Sequence, residues 1–271
     1  MHALALLSFA ALAAVTVGQS HYKHGPTFGW RRGKAAYVIS AETTLTPGPP
    51  PNPQVPRLAV WPGMDTSGGL IQPIIVSTSQ REYPACKAGP KQWCVFASYL
   101  SYPSSQKMGK QVAMDGDDKL RMKFQYNATI GGYEQWLYLK DEMVSYIGAK
   151  TGKAKGFYTD TECQGAHSGI VSAHGMSLAP SLPQSPTSSS FHAFRSFSDL
   201  DFAEYYNTTI VLSAADPTWG PNPSNHMMAC ADKISTPDGG KTWVIPTIKV
   251  SQSVATKDFD GKNPPGPIIC K

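Results

Sequence analysis

Residues 119–126 alternate strictly. Leu120, Met122, Phe124 and Tyr126 share one face, and Lys119, Arg121, Lys123 and Gln125 share the other. A period of two marks a β-strand with one face buried and one in water. Such a strand needs partners and a second apolar layer to cover it, and the flanking sequence offers both. Trp93–Tyr102 is aromatic and apolar. Asp115-Gly116 is a turn signal ahead of the alternating run. Gly131-Gly132 leads into Tyr133–Lys140, Met143–Ile147 follows, and a Thr151-Gly152 turn precedes Ala154–Tyr158. Consecutive antiparallel strands at this spacing imply an all-β sandwich or jelly roll. The 24 glycines and 23 prolines are dispersed, which argues for many short elements joined by turns.

The rest of the chain fits one such domain. Ala35–Leu45 reads as a strand, 46–53 is a stiff Pro-rich loop, and Leu58–Trp61 and Leu70–Ser77 are strands around a Gly68-Gly69 turn. Gln72 stands among aliphatics, and Pro73 beside it cannot donate to a ladder, so that strand is an edge or carries a bulge. Residues 178–190 form a low-complexity loop. Phe191–Phe197, Tyr206–Ser213 and Trp243–Val250 resume the strand pattern. With no repeat and no linker, residues 35–271 are expected to form a single β-sandwich domain.

The first twenty residues differ. Ala3–Val17 is apolar, rich in small residues and too short to span a bilayer, and Gly18-Gln19-Ser20 offers a cleavage site. Residues 1–20 are therefore expected to be a signal peptide. Residues 21–34 form an exposed arm or a short pro-segment ending at Arg31-Arg32. Two N-glycosylation acceptors, Asn127 and Asn207, agree with a secreted, extracellular protein. So do five cysteines, Cys86, Cys94, Cys163, Cys230 and Cys270, read as two disulfides and one left over. Cys86 and Cys94 are close enough in sequence to staple one loop, and Cys230 or Cys270 is available to Cys163.

The net charge of +5 is scattered and makes no basic stripe, which argues against nucleic acid as a partner. No later segment is long and apolar enough for a membrane helix, so no membrane is expected either. No cofactor and no metal are expected, since no Cys/His cluster has zinc spacing. An N-terminal copper site built on His21, with a second ligand among His167, His174, His192 and His226, has no supporting context.

Several stretches together resemble the eqolisins, the secreted fungal glutamic peptidases. Trp61-Pro-Gly-Met-Asp65 followed by Leu70-Ile-Gln72 is similar to the family's catalytic-glutamine region. Phe96–Pro103, Met114–Met122, Thr151–Phe157 and Phe194–Ser198 are similar to later family segments in the same order. The resemblance spans roughly residues 57–213 and implies a concanavalin-like sandwich of two curved antiparallel sheets. It also implies a glutamine that helps hold a tetrahedral oxyanion and a glutamate that activates water. Gln72 falls on the glutamine position. The glutamate is expected between the Thr151-Gly152 hairpin and Phe194–Ser198, where residues 169–175 hold none. Ala173 or His174 falls on that position. Glu162, read as a loop residue, is the nearest glutamate, Glu134 is a weaker substitute, and His174 is an alternative base.

The aromatic rings suggest a different use. Trp61, Trp93, Tyr99, Tyr102, Trp136 and Tyr138 lie on expected strands, where rings stack on sugars while Gln72 and Asp65 bond hydroxyls. Two functions follow. One is binding of an extracellular polymer, above all a polysaccharide, in a concave groove without complete glutamic-peptidase catalysis. The other is an acid-acting endopeptidase that cuts polypeptide, with Gln72 paired to a carboxylate elsewhere. A carboxylate sharing the groove with Gln72 separates them in favour of the second.

Overall fold

The computed structural model describes residues 22–30, 36–51, 57–78, 82–103, 105–164, 202–221, 223–226 and 229–251. In chain order the strands are β1 (Tyr22–His24), β2 (Thr27–Trp30), β3 (Val38–Thr46), β4 (Arg57–Thr66), β5 (Gly69–Ile71), β6 (Ile74–Thr78), β7 (Trp93–Phe96), β8 (Ser98–Ser101) and β9 (Ser105–Met108). They continue as β10 (Val112–Met114), β11 (Leu120–Asn127), β12 (Gly132–Leu139), β13 (Glu142–Ala149), β14 (Phe157–Gln164), β15 (Phe202–Leu212), β16 (Ser224–His226), β17 (Cys230–Ala231) and β18 (Thr242–Ser251). A 3-10 turn at Pro84–Cys86 is the only helical element among the described residues.

The strands form two antiparallel sheets. Seven strands run in the order β13-β12-β11-β3-β15-β18-β17. The other sheet has eleven, with a central path β10-β7-β6-β4-β14-β2-β16 and β1, β5, β8 and β9 attached to it. The alternation of residues 119–126 is realised in β11, where Leu120, Met122 and Phe124 are fully buried. They meet a core contributed by both sheets, including Val60, Ile75, Val95, Phe157, Leu45, Leu137, Tyr205 and Ile245. Phe124 and Phe157 touch across the sandwich, 6.2 Å between ring centres. Burying each such side chain stabilises the fold by roughly 1.5–3 kcal/mol.

Residues 22–30 correct the expectation of an exposed arm. β2 lies between β14 and β16, and Phe28 and Trp30 are buried. Trp30 stacks on Trp219 at 4.8 Å and donates its indole N–H to the Gly220 carbonyl. Gly29 lets β2 lie close against β14. A Cβ there would lie 2.4 Å from the Tyr158 Cβ on β14.

The Gln72-Pro73 pair is a break between β5 and β6. β4 runs past it, pairing with β6 through Arg57–Val60 and with β5 through Met64–Thr66. The strand lies inside the sheet, so the proline marks an interruption of the ladder and not an edge.

Candidate functional site

β14 also alternates. Phe157 joins the core between the sheets, while Tyr158 joins a second apolar cluster with Ala59, Trp61, Leu70, Ile74, Tyr83 and Phe96. The odd and even positions of a strand point to opposite faces. Tyr158, Asp160 and Glu162 therefore stand on the face turned away from the other sheet. On neighbouring β4, Ala59, Trp61 and Asp65 share that face, and register sets Asp160 beside Trp61 and Glu162 beside Ala59.

These residues line a cleft of about 530 Å³ with His24, Thr27, Arg57, Gln72 and Gln106. Asp160 lies deep in it, 5% exposed. Its Oδ1 accepts from the Thr27 hydroxyl at 2.9 Å and from the Thr161 amide at 2.8 Å. Its Oδ2 lies 2.8 Å from His24 Nδ1. Asp65 accepts from two phenols, Tyr158 at 3.1 Å and Tyr102 at 3.4 Å. Burial pushes the Tyr102 phenol up, and the Asp65 charge adds to the push. Arg57 donates to the Tyr83 hydroxyl at 2.9 Å and pairs with Glu82 at 3.4 Å. Burial raises the Tyr83 phenol, and Arg57 partly offsets it.

Gln72 is 4% exposed, and its backbone N–H donates to the Ser98 carbonyl at 2.9 Å. Its side-chain Oε1 has no hydrogen-bond partner among the described residues, and neither has the indole N–H of buried Trp61. Nearly all buried polar groups in proteins are satisfied, and leaving one bare costs about 1–3 kcal/mol. Both residues line the cleft.

Of the residues expected at the site, Gln72, Trp61, Asp65 and Glu162 meet in this cleft. Glu162 stands in strand β14, which corrects its reading as a loop residue. Trp93, Tyr99 and Trp136 were expected to line the groove, and the structure places them elsewhere. Trp93 is fully buried between the sheets, with its indole on the Gly48 carbonyl. Tyr99 is buried and donates to the Gly68 carbonyl at 2.8 Å. Trp136 packs against Tyr146 in the seven-stranded sheet, with Lys123 over its ring. The substitute Glu134 accepts from the Tyr146 hydroxyl and the Asn127 amide, which lower its carboxyl from the usual range, and it stands apart from the cleft. His174 and Cys270 lie outside the described residues.

Cys86 and Cys94 form the expected short disulfide, and Cys230 is also disulfide-bonded. Cys163 sits in β14 opposite Leu58 of β4. Asn127 is half-buried, its amide donating to Glu134 at 2.9 Å, and Asn207 is exposed at a bulge of β15. Among the described residues, no group of acidic, histidine or cysteine side chains is arranged to hold a metal. No helix among them is long and apolar enough to cross a membrane.

The sequence reading missed His24, Thr27, Arg57 and Asp160. Three of them had no local signal. Asp160 sits in the run Tyr158-Thr-Asp-Thr-Glu162, whose alternation places it on one face with Glu162, beyond the Tyr158 end of the expected strand.

No protein-family model matches the chain, and no curated protein matches it. Among solved structures, the chain is similar to the scytalido-glutamic peptidase crystallised with a peptide-based transition state analog. Identity is 12% and the TM-score 0.40, over 83% of this chain and 99% of that one. A second structure of that peptidase, with a transition state analog inhibitor, matches at 12% identity and TM-score 0.39, over 84% and 98% of the two chains.

Proposed function

We propose that this cleft hydrolyses amide bonds in an extended polypeptide, and that the protein does so outside the cell. The observation that carries the reading is that Gln72 and Trp61, whose side-chain Oε1 and indole N–H are buried without a partner among the described residues, line one cleft with Asp160 and Glu162. A tetrahedral intermediate of amide hydrolysis carries an oxyanion that needs donors and a hydroxyl that needs an acceptor. The Trp61 N–H and the Gln72 amide supply donors, Gln72 Oε1 supplies the acceptor, and the acid–base chemistry falls to the charged side chains on β14 and its neighbours. The resemblance of the Trp61–Gln72 stretch to the eqolisins points the same way. A location outside the cell is supported by the apolar N-terminal segment and the disulfides.

Glycan binding is the second reading. Tyr102, 57% exposed, favours it as a stacking surface on the cleft rim. Trp61 and Tyr158 offer little, since both rings are buried and pack on one another at 5.5 Å.

The test is cleavage of a reduced, alkylated protein from about pH 3 to pH 8, a span covering carboxylate and imidazole titration. Wild type is expected to cut. Gln72→Ala is expected to lower kcat by about 10²–10³-fold, the usual cost of removing an oxyanion donor. No cleavage by wild type at any pH, together with retention on an immobilised polysaccharide, would replace hydrolysis with glycan binding.

A further inference from the structure

Asp160 is placed to orient another group and not to meet a substrate itself. Both of its oxygens are engaged, by Thr27, Thr161 and His24, and its side chain is 6% exposed. The His24 side chain is 44% exposed and lines the cleft. A neutral imidazole that donates through Nδ1 to a carboxylate carries its lone pair on Nε2. A carboxylate beneath, fixing the ring and its tautomer, is how a histidine becomes an effective base. The backbone enforces the pairing. β1 lies along β14 with His24 opposite Glu162, two positions from Asp160 on the same face.

We propose that His24, oriented by Asp160, is the proton carrier of this cleft, an inference that rests on the hydrolytic reading above. The step balances within the site. A water oxygen bonds to the scissile carbonyl carbon while His24 Nε2 takes one of its protons. The carbonyl π electrons become an oxyanion held by the Trp61 N–H and the Gln72 amide. The C–N bond then breaks, and the nitrogen leaves with the proton returned from His24. The products are a carboxylic acid and an amine.

The charged and titratable groups sharing the cleft with His24 are Asp160, Glu162 and Tyr158 on β14, Arg57 and Asp65 on β4, and Tyr102 beyond β8. A base of this kind works deprotonated, so the rate rises with pH across the imidazole range. A mechanism run by a protonated carboxylate has the opposite slope there.

The experiment is the pH profile of kcat and KM for the full chain and two variants, on the same reduced, alkylated protein. His24→Asn is chosen because its amide nitrogen can occupy the place of Nδ1 and keep the bond to Asp160. It is expected to lower kcat by about 10²–10⁴-fold, leave KM within about threefold, and abolish the acid limb of the profile. Asp160→Asn is expected to lower kcat and to change the His24 tautomer seen by imidazole ¹⁵N NMR, with the resonance assigned by its absence in His24→Asn. Active wild type with an unchanged kcat and pH profile in His24→Asn would overturn the proton-carrier role and leave hydrolysis standing. Inactive wild type would overturn hydrolysis and this role with it. A His24 tautomer indifferent to Asp160→Asn would overturn the orienting role of Asp160.

Discussion

The side-chain Oε1 of Gln135, on the seven-stranded sheet, accepts the backbone N–H of Ser98 on the other sheet at 2.8 Å. The Ser98 carbonyl in turn accepts the backbone N–H of Gln72. β7 and β8 are interrupted at Ala97, which leaves two amides without a ladder partner. Ser145 takes the Ala97 amide at 3.0 Å, and Gln135 takes that of Ser98. The second sheet thus holds the segment against which the cleft glutamine is fixed. Gln135→Leu is expected to destabilise the protein by about 1–3 kcal/mol, the cost of a bare buried amide. It should also lower peptide cleavage through displaced Gln72. Urea denaturation and the cleavage assay check the two effects, and unchanged stability would refute the bridge.

The Cys86–Cys94 disulfide closes a short loop, 8 residues apart in sequence, and lies in the apolar cluster with Trp61 and Tyr83. Replacing both cysteines by serine is expected to cost about 2–3 kcal/mol, since short loops lose less entropy when closed than long ones. Denaturant midpoints of the two proteins measure it.

Residues 22–30 belong to the fold and to the cleft. Phe28→Ala is expected to lower stability by about 3–5 kcal/mol, as for other fully buried aromatics. Cleavage should fall with it, because His24 and Thr27, just ahead of Phe28 in the same segment, line the cleft. A variant of full stability and full activity would restore the reading of this segment as a dispensable arm.

Stability should decline at alkaline pH because of buried phenols. Burial, with Glu204 beside it, pushes Tyr206 up to about 12, and burial raises Tyr133 and Tyr205 as well. An unfolded tyrosine titrates near 10. The folded state holds these protons more tightly, so their stabilisation is complete below about pH 10 and is lost as pH rises toward 12. Unfolding free energy measured from pH 8 to pH 12 should be flat at first and then fall. Tyr133→Phe should soften the fall and lower stability at neutral pH, since the Tyr133 hydroxyl also bridges the Val38 carbonyl and the Ala154 amide. A profile level to pH 12 would refute this.

Strand existence and facing were legible because they depend on neighbours in sequence. The alternation at Leu120, Met122 and Phe124 placed those side chains inward, and the same rule, had it been extended through Glu162, would have set Asp160 and Glu162 on one face. The oddity of Gln72 among aliphatics was legible too, and so was the Cys86–Cys94 pair. By contrast, Trp93 and Tyr99 were expected at the groove because aromatic residues on a strand look alike in sequence whether they face a core or a cleft. The partner layer makes the difference, and no local pattern names it.

What the sequence by itself determined is the class of fold, a sandwich of short antiparallel strands, together with one residue of the cleft that announces itself. What only the tertiary structure decided is which strands lie side by side. β14 runs between β4 and the N-terminal strands β1 and β2, and this sets Asp160 between Trp61 and His24. A strand's period dictates the face its side chains occupy. Its neighbours are chosen by the packing of the whole sheet, through ladder hydrogen bonds that are nearly the same for any pair of strands.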